Sequence, residues 1–193
     1  MLCERLLPQV SARTAAGLGV VLHRLTAPLQ VAVAGRLKSG KSTLVNALIG
    51  RRVAPTAVGE CTRLVTRFRY GTVDRVEVVR TDGQRQVLPF QSDGGIPSDI
   101  GHLVGGIDRV SHLDAYLTSD LLRELTVIDT PGLGSLDAAS VSRTEAVLGS
   151  AGGGLDPVST SAVAGAEAVV YVVTQSVRSD DRQALAAFLA ATA

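Results

Sequence analysis

The sequence predicts an α/β protein, a three-layer sandwich around a mainly parallel central sheet. Three observations carry that expectation. Short apolar segments suited to buried strands alternate with helical segments along the chain. One of them, residues 29–34, runs into Gly35-Arg36-Leu37-Lys38-Ser39-Gly40-Lys41-Ser42, which has the form G-x-x-x-x-G-K-S. Another, residues 125–128, ends in Asp129-Thr130-Pro131-Gly132. Open α/β sheets bind ligands beyond the carboxyl ends of their strands, and both motifs fall at such ends.

The elements follow in order. Residues 2–26 have a helical pattern, with Leu2, Leu6 and Val10 on one stripe and Leu18, Leu22 and Leu25 on a weaker one. Residues 1–27 are therefore set apart as an N-terminal helical segment, which packs on the domain or docks elsewhere. Residues 28–193 form the nucleotide-binding domain. The strand at 29–34 leads into the loop, and residues 43–49 form a helix ending near Gly50. Pro55 and Gly59 make a loop of residues 51–62. Residues 63–70 alternate in character as a half-buried strand, with Arg63, Arg67 and Arg69 on a solvated face. Residues 75–80 and 85–88 flank Asp82-Gly83 as a hairpin. Residues 91–101 are loop-like, and His102 and His112 fall in or near weak helical stretches as surface or structural histidines. Residues 116–122 form a helix or strand edge. Residues 133–140 are a polar loop, 141–148 a helix, and Gly152-Gly153-Gly154 a mobile connection. Residues 168–173 form a further apolar strand, and Ser179 caps a helix that runs through Leu189.

Bulk properties exclude several classes. At 193 residues the chain has room for one well-formed core. A net charge of +1 leaves no electrostatic footprint for nucleic acid. No apolar run approaches the roughly 20 residues that span a bilayer, and the N-terminus does not have the form of a signal peptide. Cys3 and Cys61 stand alone, without metal-ligand spacing, in keeping with a reducing cytosol.

The loop has its own chemistry. Both lysines of the chain lie in it, while arginine supplies the rest of the 19 basic residues. Gly35 and Gly40 permit backbone shapes that a Cβ obstructs. N–H groups at the following helix N-terminus, from Ser39 through Thr43, face an anion, and the helix dipole adds attraction. Lys41 is expected to reach the outer phosphates, and the Ser42 hydroxyl to bind Mg²⁺. Asp129 is suited to hold a Mg²⁺-bound water; its plain alternative is a strand-end turn residue. Gly132 offers an N–H to a γ-phosphate. Thr62 is a candidate for a hydroxyl on Mg²⁺ and a carbonyl on the attacking water, on a residue type too common to stand alone.

Residues 33–50, the stretch Pro55-Thr56-Ala57-Val58-Gly59-Glu60-Cys61-Thr62, and Asp129-Thr130-Pro131-Gly132 together resemble the dynamin superfamily. The nearest flavour is the bacterial dynamin-like GTPases, particularly the isoniazid-inducible proteins of mycobacteria. The resemblance covers residues 28–190. Its Pro-Thr-x₅-Thr loop selects Thr62 over Thr56 and Thr66. The long gap between Thr62 and Asp129 also fits this family better than small Ras-like GTPases. The resemblance implies GTP as substrate, Mg²⁺ as cofactor, GTP/GDP and nucleotide-dependent self-association as partnerships, and no nucleic acid. It further implies membrane remodelling through regions outside this sequence. The expected location is cytoplasmic, with peripheral contact at the inner face of the plasma membrane. The helical segment at 2–26 resembles the part that joins a bundle beside the GTPase domain.

Departures from the family pattern shape the expectation. Leu133 stands where Ras-like proteins place a water-orienting glutamine, so Thr62 and the loop must carry that task. Lys38 stands where eukaryotic dynamins carry a serine associated with a monovalent cation. It is read either as a partial substitute for that cation, as a solvated lysine, or as a contact to a partner. The catalytic set is thus Lys38, Lys41, Thr62 and Gly132. The metal set is Ser42, Thr62 and Asp129. No Asn/Thr-Lys-x-Asp base-reading motif occurs in the 193 residues. The domain is therefore expected to be C-terminally incomplete. The second reading is a catalytically deficient nucleotide- or partner-binding fragment. A ribosome-associated GTPase is disfavoured by the near-neutral charge.

Overall fold

The computed structural model describes residues 2–36, 38–55, 64–131, 166–174, 176–177, 181–182 and 185–186. Helix α1 spans Leu2–Leu6 and α2 spans Ala12–Thr26. The expected helical run over 2–26 is therefore interrupted. Leu7–Gln9 is a 3-10 turn containing Pro8, and Val10 and Ser11 are extended. Proline brings no N–H to the ladder, so the first helix stops there. Ser11 then opens α2, its Oγ accepting from the Thr14 amide at 3.4 Å.

The remaining elements are β1 (Leu29–Gly35), α3 (Lys41–Ile49), β2 (Thr66–Tyr70), β3 (Arg75–Arg80), β4 (Arg85–Leu88), α4 (Ile100–Leu103), β5 (Val110–Leu117), α5 (Leu121–Glu124), β6 (Leu125–Asp129) and β7 (Ala168–Val172). Among the described residues the strands form one sheet of order β4-β3-β5-β2-β6-β1-β7. Pairing is parallel along β6-β1-β7 and between β2 and β5. It is antiparallel where β2 meets β6 and where β3 meets β4 and β5. The β3–β4 hairpin turns at Asp82-Gly83, as its sequence predicts; Asp82 Oδ1 accepts from the Gln84 amide at 3.0 Å.

The two faces of the sheet differ. One face carries Val33, Phe68, Val76, Val78, Leu113, Ala115, Leu117 and Val127, packed with Val45 and Ile49 of α3, Ile100 of α4 and Leu122 of α5. Parallel strands flanked by helices bury long apolar runs, which explains the Val- and Ala-rich segments. The other face is apolar only at one end, where Ala32, Ala34, Val65, Ile128 and Ala166 cluster. Farther along it turns polar. A single row crosses the sheet through Ala32, Ile128, Arg67, Asp114 and Glu77.

That row corrects two expectations. Arg67 and Arg69 do not simply form a solvated face. Arg69 Nε lies 3.5 Å from Asp114 Oδ1, and the Asp114 side chain is only 2% exposed. Arg67 is its in-register neighbour. His112, expected near a helix, lies in β5, with Nε2 3.7 Å from Asp114 Oδ2. Pairing with strands on both sides overrides the weak local helical pattern.

Candidate functional site

The phosphate loop joins β1 to α3. Gly35 sits at φ 145°, paired with Val172 of β7. A Cβ there would run into the Val172 carbonyl and approach Ser39 Oγ to 3.0 Å, so the loop can lie against β7 only as glycine. Lys38 adopts φ 61°, the left-handed region, and its side chain is exposed. Gly40, at φ 97°, turns the chain into α3. The first backbone bond of the helix runs from the Leu44 amide to the Gly40 carbonyl at 2.9 Å. The N–H groups of Lys41, Ser42 and Thr43 thus have no partner within the helix, as at every helix start. They and the positive end of the dipole create an anion site.

Lys41 is buried, and its Nζ donates to the Arg36 carbonyl at 2.9 Å across the loop. Burial pulls the pKa of its ammonium down, and the nearby Asp129 charge opposes that. An ammonium held by one carbonyl is ready to exchange it for phosphate oxygens.

Asp129 arrives from the last residue of β6. Parallel pairing sets it beside Val33 of β1. Its neighbour Thr130 locks that register, with amide and hydroxyl both directed to the Val33 carbonyl, at 3.3 and 2.9 Å. The Ser42 hydroxyl donates to Asp129 Oδ2 at 3.0 Å. Burial pushes the Asp129 carboxyl up to about 6, against the Ser42 hydrogen bond and the Lys41 charge. Its Oδ1 is enclosed and, among the described residues, has no hydrogen-bond partner; neither has Ser39 Oγ. These two buried oxygens, beside an alcohol and an ammonium, fit a hydrated hard cation with a polyphosphate. No group of three or more His, Cys, Asp or Glu gathers among the described residues. A soft or all-protein metal cage therefore has no counterpart there, and the donor set suits Mg²⁺, which keeps several waters.

The structure therefore brings together Gly35, Ser39, Gly40, Lys41, Ser42, Thr43 and Asp129 at one end of the sheet, with Lys38 on the outer side of the loop. Thr62 and Gly132 lie outside the described residues. So do the nominated helix at 141–148 and its flanking loops, and the Ser179 cap; residues 181, 182, 185 and 186 are helical. Sequence reasoning missed two residues. The turn-like Asp129-Thr130-Pro131-Gly132 hides Thr130, although a threonine after a buried strand is suited to bonding an adjacent strand. The helical stretch 43–49 hides Asn46. Its side chain bonds three backbone groups of Val53 and Ala54. A polar residue in the apolar stretch 44–49 was the available signal.

Comparison with known proteins agrees with this geometry. The model of the Dynamin family matches residues 31–190. Isoniazid-induced protein IniC of Mycobacterium tuberculosis is 40% identical over 125 residues, which are 65% of this chain and 25% of that protein. Bacterial dynamin-like protein of Nostoc punctiforme is 44% identical over 61 residues, 31% of this chain and 9% of that protein. The chain thus spans no more than about a quarter of the length of these curated relatives. A solved structure of an oligomerised bacterial dynamin pair, described as a mechanism for long range sensing and tethering of membranes, aligns with a TM-score of 0.54. It covers 100% of this chain and 28% of its own at 18% identity, a likeness of fold. No helix among the described residues is long and apolar enough to cross a membrane. The phosphate loop, the strand-end aspartate and the family match coincide on the same residues: the chain belongs to the dynamin family of GTPases.

Proposed function

We propose that this chain binds GTP and hydrolyses it to GDP and phosphate. The observation that supports the reading is the meeting of Lys41, Ser42 and Asp129 at the start of α3, with Ser42 Oγ 3.0 Å from Asp129 Oδ2. The amides at the start of α3 and the Lys41 ammonium hold the phosphates and lower the repulsion that opposes attack at the terminal one. Mg²⁺, when bound, would neutralise charge on the outer phosphates; Ser42 and Thr62 would ligate it directly and Asp129 through a water. Thr62 orients the attacking water through its carbonyl. Gly132 donates its amide to the terminal phosphate. Lys38, on the outer side of the loop, supplies charge near the bridging oxygen. Self-association through this domain and action on membranes belong to the same proposal and rest on the family.

Binding without turnover is the second reading, favoured by one sequence feature: the apolar Leu133, after Asp129-Thr130-Pro131-Gly132, cannot orient a water by hydrogen bonding. Phosphate release from GTP and from ATP decides between the readings. Lys41→Ala is expected to lower release by about 100-fold or more, the usual loss on removing a charge-stabilising donor. Equal rates in the two proteins would overturn the catalytic reading. Tight binding with no release would establish the second.

A further inference from the structure

The antiparallel pairing of β2 with β6 is short. It runs from Thr66 opposite Asp129 to Phe68 opposite Val127 and stops there. Beyond it the two strands keep different neighbours. β2 continues to Tyr70 beside Leu117 of β5, and β6 starts at Leu125 beside Leu29 of β1. The sheet therefore forks at this end. Helix α5, which leads directly into β6, brings Leu122 and Arg123 to the fork. A cavity of about 480 Å³ lies there, within the size range of small-ligand sites. It sits at the opposite end of β1 from the phosphate loop, ~20 Å away at about 3.3 Å per strand residue from Leu29 to Gly35.

Its walls are of two kinds. Pro28, Leu122 and the rings of Tyr70 and Tyr116 make an apolar, largely flat part. Arg69 and Arg123 bring guanidiniums and Thr126 a hydroxyl, and no carboxylate stands among the described lining residues. The Arg123 guanidinium lies over the Tyr70 ring, 4.1 Å from its centroid. Its carboxylate partner is Asp120 at 3.2 Å, a side chain 95% exposed. So exposed a pair contributes little and yields readily to another oxyanion. Arg69 shares Asp114 with Arg85 and His112. Its Nε is enclosed and makes no hydrogen bond among the described residues. The Arg75 guanidinium covers the Tyr116 ring at 3.9 Å and is itself held by Glu77 at 2.9 Å, which steadies that wall.

We propose that this fork is a binding site for a small organic oxyanion, a carboxylate or phosphate ester carried on a flat apolar body. The tyrosine rings, Pro28 and Leu122 take the body. The guanidiniums of Arg123 and Arg69 take the oxyanion through charge-assisted N–H donors, which a planar fork can present in pairs. Stacking on Tyr70 orients Arg123 in advance, so less freedom is lost on binding. The site uses none of the residues assigned to the nucleotide and stands apart from that reading.

The test is an amide-resolved NMR titration of the 193-residue chain with benzoate, phenyl phosphate, uncharged benzamide and inorganic phosphate. Benzoate or phenyl phosphate is expected to shift the amides of Tyr70, Tyr116, Leu122 and Thr126, and whichever binds more tightly identifies the oxyanion. Benzamide and inorganic phosphate should each bind at least about tenfold more weakly, since each lacks one half of the ligand. Arg123→Gln removes the charge from a side chain 56% exposed, so the fold is kept, and should weaken the better probe by about tenfold. Arg123→Lys keeps the charge and loses the planar fork, so an intermediate loss is expected. Benzamide binding as tightly as benzoate would reduce the fork to an apolar pit and overturn the proposal. So would inorganic phosphate binding as tightly as phenyl phosphate, or an Arg123→Gln chain that binds like the unaltered one. Shifts confined to Lys41, Ser42 and Thr43 would mean that the anions find only the phosphate loop, and would overturn it as well.

Discussion

Asp114 and Asp129 occupy the same sheet and are held in opposite ways. Asp114 lies mid-strand in β5, on the polar face. Arg69, Arg85 and His112 approach it at 3.5, 3.3 and 3.7 Å, and Arg67 lies beside it in register. Burial pushes its carboxyl up, but the His112 ring and the charges of Arg69 and Arg67 outweigh that and leave it below the ordinary range. Asp129 lies at the end of β6, on the face that α3 covers. Burial dominates there, and one hydroxyl and one ammonium do not cancel it. A structural carboxylate is surrounded by enough cations to stay charged. Asp129 is left short of them, as the proposed role of meeting an incoming cation requires; carboxylates perturbed in this way concentrate at functional sites.

The comparison breaks first at Asp114. Asp114→Asn removes the anion from among several guanidiniums and is expected to destabilise the fold by about 2 kcal/mol in denaturant titration. This is less than the 3–5 kcal/mol of a fully buried pair, because Arg69 and Arg85 reach solvent, at 38% and 52% exposure. A neutral effect would mean that the arginines are satisfied by water and that Asp114 is no hub.

Asp129→Asn should act with the opposite sign. It relieves a buried charge and keeps an oxygen for the Ser42 hydroxyl. The nucleotide-free protein is expected to gain ~1–2 kcal/mol at pH 7. Magnesium-dependent nucleotide affinity should fall by about 10–100-fold, the range for lost outer ligand support. Destabilisation of the nucleotide-free protein would show that Asp129 is structural after all.

The smallest effect is in pH. The folded-state pKa of Asp129 is raised, so the folded protein holds the extra proton between about 4 and 6. Its charge costs stability above that window, and the cost fades as pH falls through it. The advantage of Asp129→Asn should therefore shrink between pH 7 and about pH 4. Asp114 runs the other way: its lowered pKa gives stability at neutral pH that is lost only as pH falls below the ordinary carboxylate range. Thermal melts of the unaltered chain and the two variants check both signs, across about pH 4–7 for Asp129 and below about pH 4 for Asp114.

Much of the fold was legible because its signals are local. The strands β1, β3, β4 and β6 follow from short apolar or alternating runs, and α3 from the turn glycines at either end. The break at Pro8 was missed because the leucine stripe over 2–26 runs across it, although a proline inside a helical pattern was the available signal. The Arg67–Asp114 row was not, because period-2 alternation shows that side chains share a face and not which strand lies beside them. His112 was misplaced for the same reason. The polarity of Asn46 marked the position, but its partners could not be read from the sequence because they lie beyond the helix end, on a backbone that returns along α3.

The order of residues alone determined the phosphate loop and the family, because turn glycines, a helix start and a strand end are set by neighbours in the chain. Tertiary structure alone decided what those groups meet. Ser42 and Asp129 are 87 residues apart and touch only because β1 and β6 pair in parallel with Val33 opposite Asp129. It also decided which carboxylate is surrounded by cations and which is left short of them. That difference depends on burial and on the strand next door, and neither is a property of a residue's place in the sequence.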